Sequence, residues 1–129
     1  LMSMVTGTVI CLIVFKIFPT TVPRPEVAGS DPFSGLVRLI YMVDKPYNCF
    51  PSLHVLHAFL VTLHFCRAIQ GRFLRMLSVL SCILICLSTF YVKQHLVLDA
   101  VSALILGAIL FFILERCTFC FTGGKVKIN

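Results

Sequence analysis

Charge is scarce in this chain. Only 12% of the 129 residues are charged, and five are Asp or Glu. Those carboxylates form no cluster, so the sequence offers no Mg²⁺ site and implies no metal or other cofactor. The net charge of +6 comes without any basic run interleaved with aromatics, which argues against a nucleic-acid partner. The seven cysteines are odd in number and irregularly spaced. They read as small hydrophobes, not as a disulfide framework. Cys117 and Cys120 form a CxxC with no second pair to complete a tetrahedral zinc site. Internal repeats and low-complexity tracts are missing. The apolar runs do not alternate, which excludes membrane-spanning strands. Leu1 stands inside an apolar run, with no charged n-region and no cleavage pattern. We therefore expect upstream segments beyond this chain.

Apolar sequence is what the chain has in abundance. Hydrophobic residues make up 59% of it, more than a soluble domain of this length can hide. Its natural solvent is lipid. Four continuous apolar segments, at about 1–18, 52–69, 73–92 and 96–114, approach the roughly 20 residues a helix needs to cross a bilayer. The expected fold is all-α: one integral membrane domain over residues 1–129, with four transmembrane helices. The connection over 19–50 holds Pro19, Pro23, Pro25, Pro32 and Pro46 and reads as loop. Within it "FSGLVRLIYMV" fits a short helix lying at the interface. "RAIQGR" and "YVKQH" are tight connections. Tyr41, Tyr47 and Tyr91 suit an interfacial belt. Gly107 in the last segment reads as a close-packing point.

Loop charge sets an orientation. Arg67, Arg72, Arg75, Arg116, Lys125 and Lys127 share one side with Glu115. Lys16, Arg24, Arg38, Lys45 and Lys93 share the other with Glu26, Asp31, Asp44 and Asp99. Once the dispersed positives of the long loop are discounted, the positive-inside rule places both chain ends in the cytoplasm. The long loop and the starts of the second and fourth segments then share the non-cytoplasmic face.

Two stretches on that face carry chemistry. In "STFYVKQHLVLDA", His95 and Asp99 are one helical turn apart. A carboxylate beside an imidazole fixes its tautomer and stabilises its charged form. An ionisable group inside a membrane segment costs about 2.5–3.5 kcal/mol on insertion scales, which pairing would offset. A purely structural pair accounts for this spacing equally well. In "FPSLHV", Pro51 suits the first helical position. Ser52 and His54 then fall in the first turn, where free N–H groups and the helix dipole favour an anion such as phosphate. Alone, this stretch also reads as an interfacial cap with a snorkelling histidine. Together the two stretches provide the parts of a phosphoryl-transfer site. Neutral His95 attacks phosphorus, Asp99 orients it, and His54 protonates the leaving oxygen. Lys93, Arg24 and Ser52 hold the phosphate oxygens. His57 and His64 lack a local carboxylate or cysteine to complete a metal site.

These stretches resemble the type 2 phosphatidic acid phosphatase (PAP2) superfamily, whose motifs are K-x6-RP, P-S-G-H and S-R-x5-H-x3-D. "PSLH" is similar to the second, with Leu53 in place of glycine. "STFYVKQHLVLD" is similar to the third from Ser88 to Asp99, with Thr89 in place of arginine. "KIFPTTVPRP" is a degenerate form of the first, with seven residues between Lys16 and Arg24. The wording "FPSLHV" and "KQH" is nearer the inositolphosphotransferase-like branch, in which Lys93 looks like a motif residue replacing the charge lost at Thr89. The resemblance runs from about residue 15 to 112. It implies a six-helix membrane bundle, of which four helices are present. It also implies metal-independent chemistry with a phospho-histidine at His95, His54 as the acid and Asp99 as its partner. Lys16 and Ser88 join the phosphate-holding residues through the resemblance alone.

Three readings follow. The first is a lipid phosphatase, expected in a bacterial cell membrane with its site on the non-cytoplasmic face, that hydrolyses a lipid phosphate monoester or pyrophosphate. The second is a transferase moving a phospho-headgroup, such as phosphoinositol, onto a lipid hydroxyl. The third is a non-catalytic membrane protein of the same fold, against which the co-occurrence of Ser52, His54, His95 and Asp99 argues. Phosphate release from a lipid phosphate without added acceptor separates the first two.

Overall fold

The computed structural model describes residues 2–92 and 95–121. Lys93 lies outside the described residues, and so do the C-terminal Lys125 and Lys127. The fold is all-helical among the described residues, in the order α1 (Met2–Ile17), α2 (Pro32–Val43), α3 (Leu53–Ala68), α4 (Arg72–Tyr91) and α5 (Val97–Phe121). The four apolar segments become α1, α3, α4 and α5, and "FSGLVRLIYMV" becomes α2.

Two helices, not four, are long and apolar enough to cross a membrane: α4 over Arg72–Tyr91 and α5 over Val97–Leu114. The other two apolar segments form helices of 16 residues each, about 24 Å at 1.5 Å per residue. Proline shortens α1, because Pro19 cannot continue the helix and disfavours helical geometry in the residue before it. A late start shortens α3. Its N-cap is Ser52, whose side chain accepts from the Val55 N–H at 3.4 Å. Pro51 therefore precedes the cap and is not the first helical residue. Ser is a strong N-cap former, and here that preference prevails over proline's preference for the first turn.

The core forms around α3. Val55, Leu56 and Leu60 are fully buried, with Cys11 and Phe15 from α1 and Ala100, Ala103 and Phe111 from α5 around them. Two glycines allow the close approach. A Cβ on Gly7 would lie 3.0 Å from a Leu56 methyl, and one on Gly107 would lie 2.9 Å from the Phe59 ring and 3.3 Å from Leu56. Small residues at such crossings are how helices pack where no hydrophobic force drives them together. Two hydrogen bonds tie α1 to α3. Thr8 donates to the Met4 carbonyl, so its oxygen accepts from His57 Nε2 at 2.8 Å; Ser3 and His64 share the second, at 2.7 Å.

The outer surface is strongly apolar. On α4 only Cys82 and Thr89 are buried, while Phe73, Met76, Leu80 and Leu84 are more than half exposed. Such a surface suits a lipid solvent. Helix α2 buries no residue; Asp31 caps its first turn by accepting from Ser34 N–H at 3.0 Å. Tyr41 on α2 donates to the Val92 carbonyl at 2.9 Å, which holds α2 against the end of α4.

Candidate active site

The site lies where three non-helical segments meet: residues 18–31, residues 44–52, and the short link between α4 and α5. The first two are fastened together. Thr21 and Tyr47 form an isolated antiparallel bridge. Asn48 N–H donates to the Thr20 carbonyl at 2.8 Å. The Thr20 hydroxyl oxygen accepts from the N–H groups of Cys49 at 3.1 Å and Phe50 at 3.0 Å. Asn48 has φ 58°, a left-handed conformation that asparagine tolerates better than most residues. The chain turns there, and the Cys49 carbonyl comes to face the α4–α5 link.

His95 is on that link, with its side chain 7% exposed. Its Nδ1 lies 2.9 Å from the Cys49 carbonyl oxygen. A carbonyl can only accept, so Nδ1 carries the hydrogen and the lone pair of the neutral ring is on Nε2. The Asp99 carboxylate is farther away, with Oδ2 3.6 Å from Nδ1. That oxygen accepts instead from the Leu96 N–H at 2.8 Å, closing the first turn of α5 in the manner of a capping box. The expected orienting bond from Asp99 is thus supplied by a backbone carbonyl, and Asp99 adds its charge from behind. The His95 pKa is pushed below its ordinary value of 6.5, chiefly by burial. The Asp99 charge works against that shift and the neighbouring His54 adds to it.

His54 is exposed on the first turn of α3. Its ring centroid lies 5.9 Å from that of His95, with the planes tilted by 57°. Both rings line a cavity of about 170 Å³ together with Arg24, Asp44, Lys45 and Asn48. That is below the roughly 300–1,000 Å³ of drug-sized pockets and suits a headgroup. The Arg24 guanidinium, its side chain 7% exposed, pairs with the Asp44 carboxylate at 3.1 Å and also donates to the Asp44 carbonyl. It lies 4.7 Å from the centroid of the Tyr41 ring. Its Nε is buried and has no partner among the described residues.

The fold thus brings His54, His95 and Arg24 to one cavity with Asp99 directly behind. Other expected phosphate-holding residues are elsewhere. Ser52 is fully buried, with its hydroxyl capping α3 and its N–H donating to the Asp99 carbonyl at 3.1 Å. Ser88 is exposed on α4 and donates to Ile85 of its own helix. Lys16 is exposed in the last turn of α1 and does not line the cavity. Thr89, at the motif's arginine position, is buried and donates to the Cys86 carbonyl. Lys45, Asn48, the Cys49 carbonyl and Thr20 were not singled out by sequence. Lys45 alone left a signal, as a cation a few residues before the "PSLH" stretch.

A second and larger space, of about 650 Å³, opens between α1, α3 and α4; Leu53 and His54 line both it and the small cavity. Three of its hydroxyls are engaged: Ser81 donates to the Leu77 carbonyl, Thr62 to the Ser78 carbonyl and the Ser78 hydroxyl to Thr62 Oγ1, the last two across α3 and α4. No group of three metal-ligating side chains occurs among the described residues.

Residues 1–113 match a family model described as the PAP2 superfamily. Searches of curated proteins and of solved structures return no match.

Proposed function

Because the chain belongs to the PAP2 superfamily, with its phosphatase-type chemistry, we propose that it is a membrane lipid phosphatase acting on a lipid phosphate monoester or pyrophosphate through a phospho-histidine at His95. The observation that carries this reading is the hydrogen bond from His95 Nδ1–H to Cys49, with His54 5.9 Å away across the same cavity. It leaves a neutral ring with Nε2 as its nucleophilic nitrogen.

In the first step the Nε2 lone pair forms an N–P bond while the P–O bond to the lipid breaks. A proton from His54 goes to the departing oxygen. The phosphorylated ring keeps its Nδ1–H and gains a positive charge, which the Cys49 carbonyl and the Asp99 carboxylate stabilise. Arg24 and Lys45 offset the charge on the phosphoryl oxygens. In the second step His54, now neutral, takes a proton from water. The water oxygen forms a new O–P bond as the N–P bond breaks, phosphate leaves, and His95 returns to its starting form.

The larger space supports an apolar substrate, because it meets the phosphate-sized cavity at Leu53 and His54. The exposure of His54 supports water as the acceptor. Arg67, Arg72 and Arg75 mark the opposite end of α3, about 24 Å away, which supports a site on the non-cytoplasmic face. A panel of lipid phosphates, scored for free phosphate and for new lipid, tests the proposal. Free phosphate without added alcohol is the expected result. Turnover only when inositol or a lipid alcohol is supplied would replace the phosphatase by a transferase.

A further inference from the structure

We propose that Thr20 is a positioning residue for catalysis: its hydroxyl holds the 48–50 turn so that the Cys49 carbonyl sets the tautomer and aim of His95. The inference rests on His95 being the nucleophile.

The chain of contacts is continuous and each link has one direction. Thr20 Oγ1 accepts two successive backbone N–H groups, from Cys49 at 3.1 Å and Phe50 at 3.0 Å. The Thr20 carbonyl accepts from Asn48 at 2.8 Å. One residue therefore binds three consecutive amides of the turn. The left-handed φ of Asn48 is a conformation that non-glycine residues keep only where their surroundings hold it. The Cys49 carbonyl beyond it is then fixed, and it accepts from His95 Nδ1–H at 2.9 Å. Asn48 and Cys49 line the small cavity but Thr20 does not, so Thr20 acts through His95 and not on substrate.

Aim matters because near-attack geometry is narrow, and a misplacement of about 1 Å costs on the order of 100-fold in rate. The tautomer matters because a ring that loses its acceptor at Nδ1 can place its hydrogen on Nε2, which removes the nucleophile. The bond also favours the protonated ring, since an imidazolium N–H donates more strongly to a carbonyl than a neutral one. Losing it lowers the His95 pKa further. The other charged or titratable groups around His95 are unchanged by substitution at Thr20: Asp99 from α5, His54 from α3, and Asp44, Lys45, Tyr47, Cys49 and Arg24 from the loops.

Thr20→Val keeps the branched shape and removes the acceptor; Thr20→Ser keeps the acceptor. The two variants and His95→Ala are assayed in the intact chain with one lipid phosphate, alongside thermal melting. We expect Thr20→Val to lower kcat about 10- to 100-fold with little change in KM. Its acid limb of kcat/KM moves to lower pH, and Thr20→Ser returns both to near wild type. If Thr20→Val does not fold, Thr20→Ala is read in the same way. An unchanged kcat and acid limb in a folded Thr20→Val, beside a dead His95→Ala, overturns the positioning role alone. A loss of kcat with an unmoved acid limb overturns it too, and leaves Thr20 a structural residue. An active His95→Ala overturns the reading on which the inference rests.

Discussion

The Nδ1 nitrogen of His95 is 2.9 Å from the carbonyl oxygen of Cys49. This bond decides which ring nitrogen is free, and Asp99, 3.6 Å from the same nitrogen, does not. The nucleophile of the proposed reaction is therefore aimed by backbone, with a carboxylate supplying charge. His95→Ala is expected to lower kcat by at least about 1,000-fold, because it removes the nitrogen proposed to carry the phosphoryl intermediate. His54→Ala is expected to lower it by about 100- to 10,000-fold, the range of a lost general acid. Rapid-quench trapping of acid-labile phosphoprotein checks the assignment: label should appear in wild type and vanish in His95→Ala.

The pH dependence follows from the burial of His95. Its pKa in the fold lies below the ordinary 6.5, so the ring is neutral and nucleophilic at neutral pH. The acid limb of kcat/KM is expected below pH 6.5. Stability carries the same sign. Between the folded value and 6.5 the unfolded chain binds more protons than the folded one, so stability rises with pH across that window. It is fully present above 6.5 and is lost as pH falls through the folded value. Melting curves between pH 7 and 5 should show this slope in wild type and a shallower one in His95→Asn.

The helices were legible because their apolar runs are long, unbroken and free of alternation, which fits helices and not strands. Their ends were less legible. Pro51 and Ser52 are both helix-start residues, and only the fold shows that Ser52 holds the cap. The two short helices do not count as spans, because each apolar segment of about 18 residues yields a helix of 16, short of the roughly 20 that cross a bilayer. His54, His95 and Arg24 could be read as site residues from side-chain chemistry. The Cys49 carbonyl could not, since a carbonyl is the same in every residue and its place depends on the turn at Asn48. Likewise, nothing local in the sequence pairs Arg24 with Asp44, 20 residues away.

The crossing of α3 and α5 offers a test of packing apart from chemistry. A methyl on Gly107 would meet the Phe59 ring at 2.9 Å and Leu56 at 3.3 Å. The ring must move or the helices must separate, at a cost of about 1–3 kcal/mol for overpacking. Gly107→Ala is expected to lower the melting temperature, and Gly107→Leu to lower it further. Gly35→Ala, with nothing within 4 Å of the added carbon, should leave it unchanged. Equal melting of all three would show that α3 and α5 do not meet at Gly107.

Asp99 has two tasks that substitution can separate. Its carboxylate accepts from the Leu96 N–H at the start of α5, and its charge stands behind His95. An asparagine side chain still offers an oxygen to Leu96 but brings no charge. Asp99→Asn should therefore melt close to wild type and lose about 10- to 100-fold in kcat, the order lost when a carboxylate behind a functional histidine is neutralised. Asp99→Ala loses the cap as well, which costs a further 0.5–2 kcal/mol or about that, and should fall in both measurements. The Asn variant also removes the charge that raises the His95 pKa, so its acid limb should lie below that of wild type. If Asp99→Asn turns over normally while Asp99→Ala melts early, Asp99 is a helix cap and its charge has no part in the reaction.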